Sequence, residues 1–344
     1  MSTNASGPCQ KPLCLKALCQ TTSMTSAPLI ALLADTYDPS SRPSPCWPLK
    51  GMSMKSMRLA TIVACLALAP ALHAASAKPI QFQPFMERAL IVNATINGHP
   101  GTFMFDTGGG ISFISPKFAA EIGCKPWGQI TGFQMTGNRL DMQRCDNVSV
   151  QVDQHQVRRE TVGVFDMDKF LPTGSKEKID GSLALDIFDG QVVKFSYSER
   201  TLTVLDQSAV AALSKKTPSV PIHVVREAEG LALAVNLPVK TDNGTAWFEL
   251  DSGNTSPFIL AGKHLADTFK LDNDPRTKQT IKTALADGQP IEGNVKVLDL
   301  TLDGNLGMTF LSKYDVTIDM ANHRAWVVPS KGSEVASSAK PASE

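Results

Sequence analysis

Apolar and polar residues alternate in short runs along most of the chain beyond residue 78. Ala89–Ile96, Val148–Val152, Val192–Val204 and Val295–Leu302 each read as strands with one buried face, separated by Gly, Asn and Asp turns. Helical spacing is rare, with Ser115–Ile122 and Ser208–Lys215 the best candidates. The pattern predicts an all-β protein.

The first 77 residues do not follow it. From Met54 the chain reads MKSMRLATIVACLALAPALHAASAKP, with Lys55 and Arg58 ahead of an apolar stretch, Leu59–Leu72, and then small residues. This is the layout of a secretory signal peptide, and the stretch is too short and Ala-rich for a membrane span. Residues 54–77 are therefore predicted to be removed, which makes the protein exported, periplasmic or secreted, with no stable membrane insertion afterwards. Residues 1–53 show no hydrophobic periodicity and are rich in Pro, Ser and Thr. They read as a non-native upstream extension or a disordered segment, with Met54 (or Met52 or Met57) as the initiator. Five of the seven cysteines fall before residue 78, at positions 9, 14, 19, 46 and 65, without paired metal-ligand spacing. Cys124 and Cys145 remain, either as a disulfide or as two buried thiols.

Internal repetition decides the architecture. FMFDTGGGISFIS at Phe103–Ser115 lies over FELDSGNTSPFIL at Phe248–Leu260, and the Ile179–Val204 segment lies over Leu302–Val327 without a gap. The offset is 145 residues for the first match and 123 for the second, so the first half is 22 residues longer between its motifs. Two halves of one chain, each with the same elements, imply a pseudo-two-fold molecule. The expected organisation is an N-terminal lobe at 78–205, a linker at 206–221, a C-terminal lobe at 222–330 and a disordered tail at 331–344.

Each half carries apolar residues, then Asp, Thr or Ser, and Gly: Asp106-Thr107-Gly108 and Asp251-Ser252-Gly253. Doubled, and followed in each half by an apolar Gly-containing segment, this resembles the pepsin and retropepsin superfamily from about Ile91 to Val328, its small exported bacterial members above all. The resemblance implies the acid-protease fold: two six-stranded β-barrel lobes facing across a cleft that takes an extended peptide under a hairpin flap.

Elementary chemistry agrees. A strand ending in Asp and then Gly can hold a carboxylate in a tight loop, and two such loops at a pseudo-two-fold axis bring two carboxylates together. Like charges so close cannot both ionise cheaply, so the pair shares a proton; aspartic proteases are the standard illustration of that rule. Asp106 and Asp251 are thus the candidate catalytic pair, with water activated between them and no metal or other cofactor required. The resemblance implies that the Thr107 and Ser252 hydroxyls bond across the axis, while Gly108 and Gly253 can offer backbone N–H groups, and Asn254 a donor, in support of the carboxylates.

The chain departs from the family pattern in three places. Gly109 stands where a hydroxyl is usual and can donate no side-chain hydrogen bond, while Asn254 can still donate. Ala184 replaces the Gly that Leu306-Gly307 retains in the second half. The three tyrosines are Tyr37, Tyr197 and Tyr314, so the flap tyrosine of pepsin-like enzymes is absent. Ile130–Met142 is the candidate flap hairpin, with Phe133 as its aromatic tip.

Lys+Arg and Asp+Glu are both 33, so no basic field exists for nucleic acid. No zinc-hydrolase His-Glu-x-x-His, serine-hydrolase elbow or phosphate loop is present. The expected function is an aspartic endopeptidase acting on peptide or protein as a monomer, since one chain supplies both aspartates. The alternative is a two-lobed peptide-binding protein of the same fold without turnover.

Overall fold

The computed structural model describes residues 78–167, 171 and 178–333. The segment read as an upstream extension, the stretch expected to be a signal peptide and most of the tail lie outside the described residues. Among the described residues, no helix is long and apolar enough to cross a membrane.

The chain forms two curled sheets joined by a third. In the first lobe eight strands form one sheet, which closes on itself where Ala89–Ile96 pairs with Arg139–Val152 (Thr95 opposite Gln151). In the second lobe seven strands do the same, with a bridge between Val239 and Leu285. The third sheet has six strands, three from each half. The expected pair of six-stranded barrels is therefore realised with short edge strands added and a shared sheet beneath.

Within each half the repeat holds residue by residue. Strand His99–Phe105 runs parallel to Gly181–Leu183, pairing Phe103 with Gly181 and Phe105 with Leu183. Its counterpart Gly244–Leu250 pairs Phe248 with Gly304 and Leu250 with Leu306. One part of the sequence match shifts. Phe113 pairs with Ser182, whereas Leu260 pairs with Asn305, so Phe113-Ile114 corresponds to Leu260-Ala261 and not to Phe258-Ile259. The second lobe holds two extra residues after its Asp loop, and an even shift leaves each side chain on its original face.

The shared sheet marks the axis. Val193 pairs with Ile318, Lys194 with Thr317 and Phe195 with Val316. Lys194 and Thr317 are repeat-equivalent, so the pseudo-two-fold passes between them. The stretch read as a linker contains helix Gln207–Ser214, capped by the Asp206 carboxylate accepting from Ala209 N at 2.8 Å. It ends in strand Val220–Pro221, which pairs with Arg324–Ala325 as Ile80–Gln81 pairs with Thr201–Leu202. Phe82, Phe105 and Phe195, all buried, pack together where the first lobe meets this sheet, Phe82 stacked on Phe105 and edge-on to Phe195.

Two runs expected as continuous strands break. Val192–Val204 is a hairpin, Val192–Ser196 and Thr201–Val204, turned through Arg200 at positive φ. The Val295–Leu302 run pairs only to Leu298, and residues 299–303 form a loop. Both breaks fall beside polar residues whose turn-forming tendency the apolar alternation masks. Helix Pro116–Glu121 lies where expected, with Ser115 Oγ accepting from Phe118 N at 3.1 Å. Behind it Cys124 and Cys145 are bonded, their Cα atoms 6.1 Å apart.

Candidate active site

Asp106 and Asp251 follow directly on the two strands that lead to the axis, and the structure brings them together. Gly253 N donates to Asp251 Oδ1 at 2.7 Å and to Asp106 Oδ1 at 3.1 Å, so one N–H reaches an oxygen of each carboxyl. Gly108 N donates to Asp106 Oδ1 at 3.0 Å. A side chain on either glycine would not fit. A Cβ on Gly108 would stand 2.5 Å from the Asp251 carboxyl carbon, and one on Gly253 2.5 Å from Asp106 Oδ2. Each loop lies against the carboxyl of the other.

The hydroxyls lock this arrangement across the axis. Thr107 N donates to Ser252 Oγ and Ser252 N to Thr107 Oγ1, both at 2.9 Å. Thr107 Oγ1 donates to Leu250 O at 2.7 Å and Ser252 Oγ to Phe105 O at 3.3 Å. Both side chains are almost completely buried, so the four bonds have no water to compete with them.

Asp106 is held well above the usual carboxylate range. Burial contributes most, followed by the charge of Asp251 and a hydrogen bond between the two carboxyls; the N–H groups of Gly108 and Gly253 pull the other way. Asp251 has more donors: Gly253 N, Asn254 N at 3.1 Å and Asn305 Nδ2 at 2.7 Å.

The two departures in sequence explain each other. A Cβ on Gly307 would stand 2.4 Å from Asn254 O and 2.6 Å from the Asn254 side-chain amide. In the first lobe the position equivalent to Asn254 is Gly109, with no side chain, and the position equivalent to Gly307 is Ala184, fully buried. Side-chain volume has moved from one partner to the other, so Ala184 is accommodated where a family glycine is expected.

One expectation is corrected. The Asn254 side chain does not donate to Asp251, because its Nδ2 is taken by Asn305 Oδ1 at 2.8 Å; the backbone N–H of Asn254 donates instead. Asn305 supplies the side-chain donor, and sequence reading missed it. So was Glu249, nearly buried, which accepts from the same Asn305 Nδ2 at 3.3 Å. Both left a trace in the sequence as polar residues inside otherwise buried strand segments.

The candidate flap is a hairpin, Trp127–Phe133 against Arg139–Val152, with Ile130 opposite Met142. Phe133 is its last residue before the turn and is 61% exposed. At the turn, Met135 O accepts from Thr301 N at 2.9 Å and from Thr301 Oγ1 at 3.2 Å, so the hairpin bridges the lobes.

Residues 92–187, most of the first lobe, match the family model described as aspartyl protease. The resemblance to the pepsin and retropepsin superfamily holds. No curated protein matches the sequence. A crystal structure of basic 7S globulin from soybean superposes with a TM-score of 0.47 at 8% identity, covering 74% of this chain and 95% of that one. This is a likeness of shape and nothing more. The match to the aspartyl protease model falls in the first lobe, and the second lobe repeats the same strand pairings.

Proposed function

We propose that the protein is an aspartic endopeptidase and that Asp106 and Asp251 hydrolyse peptide bonds together. The observation that carries this reading is the single Gly253 N–H within reach of both carboxyls, beneath two loops cross-braced by Thr107 and Ser252. Asp106, raised by burial and by its neighbour, holds the shared proton; Asp251, with three donors, carries the charge. Asp251 takes a proton from a water bound between the carboxyls, and the hydroxide adds to the scissile carbonyl carbon. Asp106 gives its proton to the carbonyl oxygen. The gem-diol intermediate then collapses: the proton on Asp251 passes to the leaving amine as the C–N bond breaks, and one diol hydroxyl returns its proton to Asp106, which restores the starting pair.

The substrate we propose is an extended peptide or protein segment bound between the lobes by a monomer. Admission requires the Met135–Thr301 contact to open, which at about 1 kcal/mol per hydrogen bond is a small cost. Export through residues 54–77 belongs to the same proposal. A non-hydrolysing peptide binder is favoured by the missing flap tyrosine and by Gly109, which offers Asp106 no side-chain donor. Incubating the protein with a mixed peptide library from acid to neutral pH separates the two. New termini from wild type and none from Asp251→Asn support the peptidase; retention of intact peptides by both supports the binder.

A further inference from the structure

Glu249 lies on strand Gly244–Leu250, two residues before Asp251, which follows directly on it, and both carboxyls reach the same Asn305 amide. Across the parallel pair it stands opposite Asn305. The Asn305 amide is oriented by a chain of bonds: Ser256 N and Oγ donate to Asn254 Oδ1, and Asn254 Nδ2 donates to Asn305 Oδ1. That leaves the two Nδ2 protons for Asp251 Oδ2 and Glu249 Oε2. Asp251 and Glu249 therefore share one fully committed amide.

The fold does not need an acid there. In the first lobe the same register places Met104 opposite Ser182, and the strands pair identically. Burying a carboxyl costs stability unless hydrogen bonds or an opposite charge compensate it, and this one lies among acids with an amide as its partner. Asp251, Asp106 and, more weakly, Glu227 are the titratable groups acting on it; Asn305 is its hydrogen-bond partner, and Asn236 is opposite on the other neighbouring strand. Burial and these charges hold Glu249 well above the usual carboxylate range.

We infer that Glu249 is a third carboxyl of the site, a positioning residue that acts on Asp251 through Asn305 and sets the upper pH limit of the pair. When Glu249 ionises, it adds a negative charge beside Asp251 and opposes loss of the last shared proton. The pair then keeps its one-proton form to higher pH than it would alone. This rests on Asp106 and Asp251 being the proton-sharing pair.

The test is a carboxyl-carbon NMR titration of Asp106 and Asp251 in the full chain and in Glu249→Gln, beside the pH profile of peptide cleavage. The upper titration step of the pair should move to lower pH by at least about half a unit in Glu249→Gln, and the alkaline limb of cleavage should move with it. A step unchanged within about 0.2 unit overturns the inference. If Glu249→Gln does not fold, Glu249→Met, which copies the first lobe, takes its place. If wild type cleaves nothing yet the titration shifts, the peptidase reading fails and the role of Glu249 stands. Normal cleavage with an unshifted titration gives the reverse.

Discussion

Asp106 is a group the folded chain holds protonated after the unfolded chain has released its proton. Stability therefore falls as pH rises from the ordinary carboxylate value toward the raised one, and the loss is complete above it. Asp106→Asn keeps the acceptor for Gly108 N and Gly253 N but does not titrate. We expect it to melt above wild type at neutral pH, with the gap closing toward pH 3; an equal gap at both ends would contradict the raised Asp106. Thr107 makes the opposite case. Thr107→Val leaves Leu250 O and Ser252 N without partners in a buried site, costing at least about 2 kcal/mol in denaturant unfolding. Combined with Ser252→Ala, the losses should fall short of their sum, because the two hydroxyls brace one structure. At this scale the aspartates, hydroxyls and glycines were legible because the motif occurs twice. Asn305 and Glu249 were not, because their meaning depends on strand register across the sheet, which a single line of sequence does not carry.

At the scale of elements, strands with clean alternation were legible and their ends were not. Ala89–Ile96 matches its prediction, while the 299–303 loop hides in an apolar run because it packs beneath the flap turn. The candidate flap was legible as a hairpin at Ile130–Met142, but its contact with Thr301, far away in sequence, was not. Since Phe133 is exposed, Phe133→Ala should change stability by less than about 0.5 kcal/mol. If the hairpin is the flap, the same change raises KM for peptide; an unchanged KM removes Phe133 from substrate contact. The Cys124–Cys145 bond closes a sequence separation of 21 and ties the flap strand to the end of helix Pro116–Glu121. Cys124→Ala with Cys145→Ala should cost about 2–4 kcal/mol, read from the unfolding free energy extrapolated to zero urea with the slope fitted for each protein.

At the scale of the molecule, the two repeat offsets already contained the pseudo-two-fold, and the structure shows where its axis runs. It passes between Thr107 and Ser252 at the site and between Lys194 and Thr317 in the shared sheet. The shared sheet itself was hidden, since its edge strands Ile80–Gln81 and Val220–Pro221 are two residues each, too short to show a period. Because one chain supplies both loops, activity per chain should not change on dilution; a loss at low concentration, tracked by sedimentation, would point to a shared site between chains. The central claim is that both aspartates act on one water. Its most direct measurement is the single-turnover cleavage rate of one library-selected peptide by wild type, Asp106→Asn and Asp251→Asn, each verified as folded. We expect both substitutions to lower the rate by at least about a thousandfold, whereas full cleavage by either Asn protein would contradict the paired-carboxyl account.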